Sequence, residues 1–358
     1  MEKFFRGFDF LIPLFIFIIA VLSLALLWSI APNLFFQQLI FFVFGFALFL
    51  LFSQIDFRIY QNLRWIFYAG SLSFLVLTFI LGEITRGSVR WIQIGPLTIQ
   101  SSEMVKPFLI SFFAFFFCRR KINFSTLVKA VILLGLPTFL IFKQPDLGSS
   151  LVLMAAFVGI FFYQEFSSAV LLPIAGLLII AIPASWLMLA QYQKDRIFSF
   201  LDPYSDPLGS GYSLIQAMIS VGSGQLFGRG LGRGTQSHLA FLPERHTDFI
   251  FASFTEEFGF LGAGTILIIY FLILWRVLYV AQNAKQDFAK FFALGIFCML
   301  IFQIFINVGM NLGIAPVTGI TLPFLSYGGS SIISTMISLG MVESISRLHK
   351  KQETIEIR

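Results

Sequence analysis

The sequence predicts an all-α polytopic integral membrane protein, with about ten transmembrane helices and a long extracytoplasmic loop between spans 7 and 8. Three observations predict it. The 358 residues are 58% hydrophobic and 12% charged, with mean hydropathy +0.88, whereas soluble domains run at roughly 45–50% apolar and about 25% charged. Apolar runs long enough to cross a bilayer recur along the whole chain. A polar, glycine-rich segment, 191–247, interrupts them once, and it is far longer than the ~2–8 residues that an ordinary helix connection needs.

A spanning helix takes ~20 mostly apolar residues. That criterion places spans near 10–30, 34–53, 65–82, 102–118, 126–142, 147–164, 168–190, 249–275, 288–311 and 326–347. The first is too long for a signal-peptide core and lacks a small-residue cleavage site, so it reads as a span. Ten spans put both termini on one side. If the N-terminus is cytoplasmic, 15 of the 24 Lys and Arg residues fall in inside segments, 8 fall outside and Lys106 lies within a span. The positive-inside rule therefore puts both termini in the cytoplasm and the 191–247 loop outside the cytoplasmic membrane.

The net charge of +6 reports this orientation and gives no reason to expect nucleic acid. The 48 phenylalanines are packing and lipid-facing bulk. Cys118 and Cys298 lie in apolar spans or at their ends, without metal-ligand or disulfide spacing. The three histidines are scattered. No internal repeat supports an inverted-repeat transporter, and the chain reads as a single transmembrane domain, 1–358.

Candidate chemistry concentrates in four places. Asp248 stands where the polar loop becomes an apolar helix, after Pro243-Glu244-Arg245-His246-Thr247. It is either a helix cap or a partly shielded carboxylate able to take a proton from a hydroxyl. Glu256 and Glu257 follow about 12 Å deeper at the helical rise. Neighbours on a helix diverge by about 100°, so they cannot face one cavity together, yet at least one is expected to line a polar interior. Glu103 and Lys106, spaced i,i+3, share a helical face and can pair. They either fix helix packing or line a cavity in which Lys106 holds a phosphate. Ahead of them, Trp91 and the Gly95-Pro96 turn suggest an interfacial or re-entrant segment.

The glycines at 222, 224, 228, 230, 232 and 234 interleave with Arg229 and Arg233. No Gly-Lys-Ser/Thr and no strand–helix context supports a nucleotide site. A pliable backbone, a diphosphate-binding loop and membrane anchoring through Leu226-Phe227 all remain open. Gln303, Asn307 and Asn311 form a polar stripe ahead of Ser326-Tyr327-Gly328-Gly329-Ser330-Ser331, read as close helix packing or as a polar lining that includes Ser330. Asp146, before Leu147-Gly148-Ser149-Ser150, reads as the N-cap of the sixth span.

Several long motifs, in order along most of the chain, resemble the SEDS family of RodA, FtsW and SpoVE proteins. They are Lys143-Gln144-Pro145-Asp146-Leu147-Gly148-Ser149-Ser150, the loop with Asp202-Pro203 and Gly211-Tyr212, Leu242-Pro243-Glu244-Arg245-His246-Thr247-Asp248-Phe249, and Leu322-Pro323-Phe324-Leu325-Ser326-Tyr327-Gly328-Gly329-Ser330-Ser331. Gly234-Thr235-Gln236-Ser237 and Pro316-Val317-Thr318-Gly319 are most similar to the RodA branch. Ser101 stands where the family commonly has proline, which loosens that helix start but leaves Glu103 and Lys106 in register.

The resemblance implies an inverting peptidoglycan glycosyltransferase. It would polymerise lipid II, the undecaprenyl-diphosphate-linked disaccharide pentapeptide, on the outer face of the cytoplasmic membrane during elongation and shape maintenance. It implies Asp248 as the catalytic base. Candidates to bind substrate or neutralise the departing diphosphate are Glu103, Lys106, Arg196, Arg229, Arg233 and Ser330. Diphosphate chemistry also admits a divalent cation, Mg2+ or Mn2+, although no ligand set is visible. The implied partner is a class B penicillin-binding protein, a transpeptidase, with membrane lipids around the spans. A lipid II flippase is the competing expectation, favoured by the intramembrane Glu103, Lys106 and Glu256.

Overall fold

The computed structural model describes residues 8–85, 88–95, 97–118, 124–164, 186–187 and 189–356. It is a helical bundle, as expected. Among the described residues seven helices are long and apolar enough to cross a membrane: Leu11–Ile30, Pro32–Gln54, Arg64–Leu81, Ser101–Cys118, Phe124–Lys143, Ile250–Asn283 and Asp287–Asn311. Leu147–Phe162 is a shorter apolar helix, and Gly329–Glu356 is the last. Nine of the ten expected spans are therefore helices, and 168–190 lies mostly outside the described residues.

Local chemistry sets the boundaries. Pro32 opens the second helix at a position whose N–H would be unpaired anyway. The Asp56 side chain accepts from the Arg58 amide (2.9 Å) to start Phe57–Asn62. Asp146 accepts from the Ser149 amide (3.1 Å), the capping role its sequence position predicts. Phenylalanines supply packing where Phe113 meets Phe157 edge-on at 5.3 Å and Phe157 stacks on Phe161.

Gly329–Glu356 is too polar to qualify as a lipid-facing span, and the fold uses it as a central helix instead. Ser334, Thr335, Ser338 and Ser344 are buried in it. Its small residues let it approach the Pro32–Gln54 helix closely: a Cβ on Gly340 would fall 2.7 Å from the Phe49 carbonyl oxygen.

Two regions add structure that periodicity did not reveal. The segment ahead of Glu103 is a three-stranded antiparallel sheet, Glu83–Thr85, Ser88–Ile94 and Leu97–Gln100, with Trp91 opposite Gln100. The expected turn joins the second and third strands at Gly95, and Pro96 is outside the described residues. The 191–247 loop contains helices Gln191–Leu201, Tyr212–Ser223 and Thr235–His238.

The bundle has two unlike ends. At one, the end of the first helix meets the loop: Ser29 Oγ donates to Glu257 (2.5 Å), and the Ile30 carbonyl accepts from Arg245. At the other, Asp9 pairs with Arg276 and its amide donates to Glu343 (2.7 Å), while Arg347 donates to the Ser53 carbonyl. Asp248, the sheet and the 191–247 segment all belong to the first end.

Candidate active site

Asp248 is half-buried at the turn before the Ile250–Asn283 helix. That helix's N-cap is Phe249, without a side-chain cap bond. The amide of Ala252 is instead taken by Asn311 Oδ1 at 2.9 Å. Asn307 and Asn311 each donate to the Asp248 carbonyl at 3.1 Å. The polar stripe thus clamps backbone. The turn is also tied to the final helix: Ser326 Oγ donates to the Thr247 carbonyl, and the Tyr327 amide to the His246 carbonyl, both at 2.8 Å. Tyr327 donates its hydroxyl to Gln37 (2.7 Å).

The Asp248 carboxylate faces the Thr318–Ile320 segment. A Cβ built on Gly319 would lie 3.6 Å from Asp248 Oδ2. The same segment touches a second polar group on its other side, since a Cβ on Gly148 would fall 2.9 Å from the Thr318 carbonyl oxygen. Gly148 begins the helix that Asp146 caps.

Around that cap sits the second group. Lys106, 1% exposed, donates to Glu103 Oε1 at 2.7 Å, and Ser149 Oγ donates to the same oxygen at 3.3 Å. Asp146 Oδ2 accepts from Ser102 Oγ (2.6 Å) and the Gln100 side chain (2.8 Å). Ser330 Oγ accepts from the Gln100 amide at 2.9 Å. The structure therefore brings Glu103, Lys106 and Ser330 together and sets them one loop away from Asp248. Glu103 Oε2, Ser101 Oγ and Thr318 Oγ1 are buried without a partner, and such orphaned atoms mark a place for water or a polar ligand.

The arginines separate. Arg196 is exposed on the Gln191–Leu201 helix, beside the ring of Tyr192, whose hydroxyl reaches the Pro145 carbonyl next to Asp146 (3.5 Å). Arg229 and Arg233 are exposed on the glycine loop. Arg229 donates to Ser223 O and Thr235 Oγ1, at 3.3 and 3.2 Å.

The expectation of free loop amides for a diphosphate meets a different arrangement. The Arg229 and Gly230 amides donate to the carbonyls of Glu256 (2.9 Å) and Glu257 (3.0 Å), and the Gly232 amide to Ser29 Oγ (2.9 Å). Here glycine is required sterically. Gly228 has φ +80° with its missing Cβ 2.1 Å from the Glu257 carbonyl oxygen, and Gly259, at φ +69°, breaks the long helix against it. Glu256 and Glu257 are held by the loop and the first helix. Glu256 accepts from the amides of Gln236 and Ser237 and from Ser237 Oγ, and Glu257 Oε1 accepts from Ser29 and contacts His238 Nε2 at 2.9 Å.

One contributor went unnoticed in the sequence. Arg90, counted only as an outside charge, donates from the middle strand to the Gln144 carbonyl (3.0 Å) and to that of Pro145. It holds the turn that presents Asp146. Nothing in the spacing of residues 90 and 144 announces this contact.

No group of three His, Cys, Asp or Glu side chains among the described residues is arranged to hold a metal ion. The described donors do not make a protein-only cation site.

A family profile described as "Cell cycle protein", covering FtsW, RodA and SpoVE, matches residues 5–351. The peptidoglycan glycosyltransferase MrdB of Escherichia coli K12 is 38% identical over 315 residues, 86% of this chain and 84% of that protein. Stage V sporulation protein E of Bacillus subtilis 168 is 39% identical over 279 residues, covering 76% of each. Among solved structures, a chain from "Structural coordination of polymerization and crosslinking by a peptidoglycan synthase complex" superposes with TM-score 0.84 at 31% identity, over 96% of this chain and 98% of that one. The rod shape determining protein RodA of Thermus thermophilus superposes with TM-score 0.72 at 28% identity, over 95% and 97%.

Proposed function

The chain belongs to the FtsW, RodA and SpoVE family, and from that membership we propose that it is an inverting peptidoglycan glycosyltransferase working on lipid II at the outer face of the cytoplasmic membrane. Both termini then lie in the cytoplasm, following the positive-inside bias. The role is elongation and shape maintenance, in keeping with the likeness to RodA.

The observation that carries the reading is the Asp248 turn. Asp248 is half-buried, and its carboxylate faces the Thr318–Ile320 segment that borders the Glu103–Lys106 group. Asp248 accepts the proton of an acceptor sugar hydroxyl as that oxygen bonds to the donor's anomeric carbon. The bond from the anomeric carbon to the diphosphate oxygen breaks, and its electron pair leaves with undecaprenyl diphosphate. Attack opposite the leaving group inverts the centre. Lys106 supplies buried positive charge at the border of the site, and Arg196 an exposed cation linked through Tyr192 to the Asp146 turn. Arg229, Arg233 and Ser330 are secondary candidates. A Mg2+ or Mn2+ ion would have to be held mainly by the diphosphate itself.

The partner is a class B penicillin-binding protein, a transpeptidase that crosslinks the new strands. The likeness to a chain of a synthase complex supports it.

Purified protein, alone and with that partner, is given labelled lipid II with and without a chelator. Glycan polymer is expected, and Asp248→Asn lowers the rate by about 10²–10⁴-fold, the usual share of a general base. Wild-type rates in Asp248→Asn would remove the base assignment. Lipid translocation in vesicles without polymer would favour the flippase, and an unchanged rate with chelator would remove the cation.

A further inference from the structure

We propose that Asn307 and Asn311 are positioning residues for Asp248, a pair of buried carboxamides that hold its backbone and accept from the helix start beside it. This rests on Asp248 being the base.

The two lie four residues apart on the Asp287–Asn311 helix, so they share one face. Both are fully buried. A carboxamide carries two N–H donors and an accepting oxygen, and these two are almost wholly used on one junction. Asn307 donates to the carbonyls of Asp248 (3.1 Å) and Ile320 (2.7 Å). Asn311 donates to the Asp248 carbonyl (3.1 Å) and to the Asn307 carbonyl (2.8 Å), and its oxygen accepts from the Ala252 amide (2.9 Å).

Two consequences follow. An acid just ahead of a helix ordinarily spends its carboxylate on one of the first helical amides. Here the amide of Ala252, the third residue of the helix, has its acceptor supplied by another helix. Asn307 also bridges two segments with one nitrogen. It fixes the distance between the Asp248 turn and the Gly319 wall that its carboxylate faces. A hydroxyl has one donor and could not bridge them.

Gln303, one turn earlier on the same stripe, is equally buried but makes no hydrogen bond to the Asp248 turn. It is the natural control.

The test measures steady-state polymerisation by full-length protein with its transpeptidase partner, alongside melting temperature. Asn307→Ala and Asn311→Ala are expected to lower kcat by about 10- to 100-fold, the cost of misplacing a reacting group by ~1 Å, with KM within about twofold because substrate contacts are untouched. Gln303→Ala keeps kcat. Asn307→Ser introduces no charge and keeps a single donor, which cannot bridge the two carbonyls, so it is expected to fold and be slow, and it decides the matter if the alanine variants do not fold. Folded asparagine variants with wild-type kcat would overturn the proposal. So would a loss of kcat that Gln303→Ala shares in proportion to its melting temperature. Asp248→Asn is run beside them: if it is inactive while the asparagine variants are normal, only the positioning role falls, and if it is active the base assignment falls first.

Discussion

Two sets of buried carboxylates sit at the same end of the bundle and do opposite work. Glu256 and Glu257 are bound by the chain itself: amides of Gln236, Ser237 and Gly232, with hydroxyls of Ser29 and Ser237, converge on them. Glu103 receives only side chains, Lys106 and Ser149, and it shares with Glu257 a buried Oε2 without a partner. A carboxylate fastened by backbone amides fixes the path of a loop and cannot release it without unfolding it. One faced by rotatable side chains can exchange a partner for substrate. Intramembrane acid therefore does not by itself mark a catalytic site, and the identity of its donors separates staple from site.

Four substitutions test that contrast, beginning with the largest effect. Asp248→Asn is expected to abolish most polymerisation with little change in melting temperature, because the substitution is isosteric and the turn is held through the Asp248 carbonyl by Asn307 and Asn311. Lys106→Met strands the Glu103 charge, and breaking a buried pair from one side costs about 3–5 kcal/mol. Both stability and activity fall, and Lys106→Met with Glu103→Gln together recovers stability but not rate. A double variant that regained full activity would make the pair a packing device like Glu256. Glu256→Gln keeps the shape but replaces an acceptor with a donor facing amides. About 1–3 kcal/mol is lost, and limited proteolysis should show earlier cleavage between 224 and 240 while kcat of the folded fraction stays normal. A specific loss of kcat there would dissolve the distinction. Arg196→Ala is expected to raise KM roughly two- to fivefold, the worth of an exposed ion pair, with smaller changes for Arg229→Ala and Arg233→Ala. The reverse ranking would bring the glycine loop back as the diphosphate site.

Much of this was legible in the chain. Seven of the described helices matched long apolar runs because a bilayer enforces their length, and Asp146 read as a cap because its neighbours are a helix start. The i,i+3 spacing of Glu103 and Lys106 announced their pairing. The sheet was less legible, because its outer strands have only three and four residues, too few to show an alternating pattern. The glycine string looked like an anion loop because sequence shows glycines but not the carbonyls they are pressed against. Asp248 had two readings from its position, and only the partner of the Ala252 amide bears on the choice.

The sequence by itself determined the membrane class, the helix ledger, the family and the residues rich enough in chemistry to matter. These follow from local composition and spacing, which the chain carries wherever it goes. Only the tertiary structure decided which acids are staples, that Arg90 and Asn311 support the site from 54 and 63 positions away in the chain, and that one short loop separates Asp248 from Glu103 and Lys106. Those facts are hydrogen bonds between distant segments, and a donor's partner is not written in its neighbours.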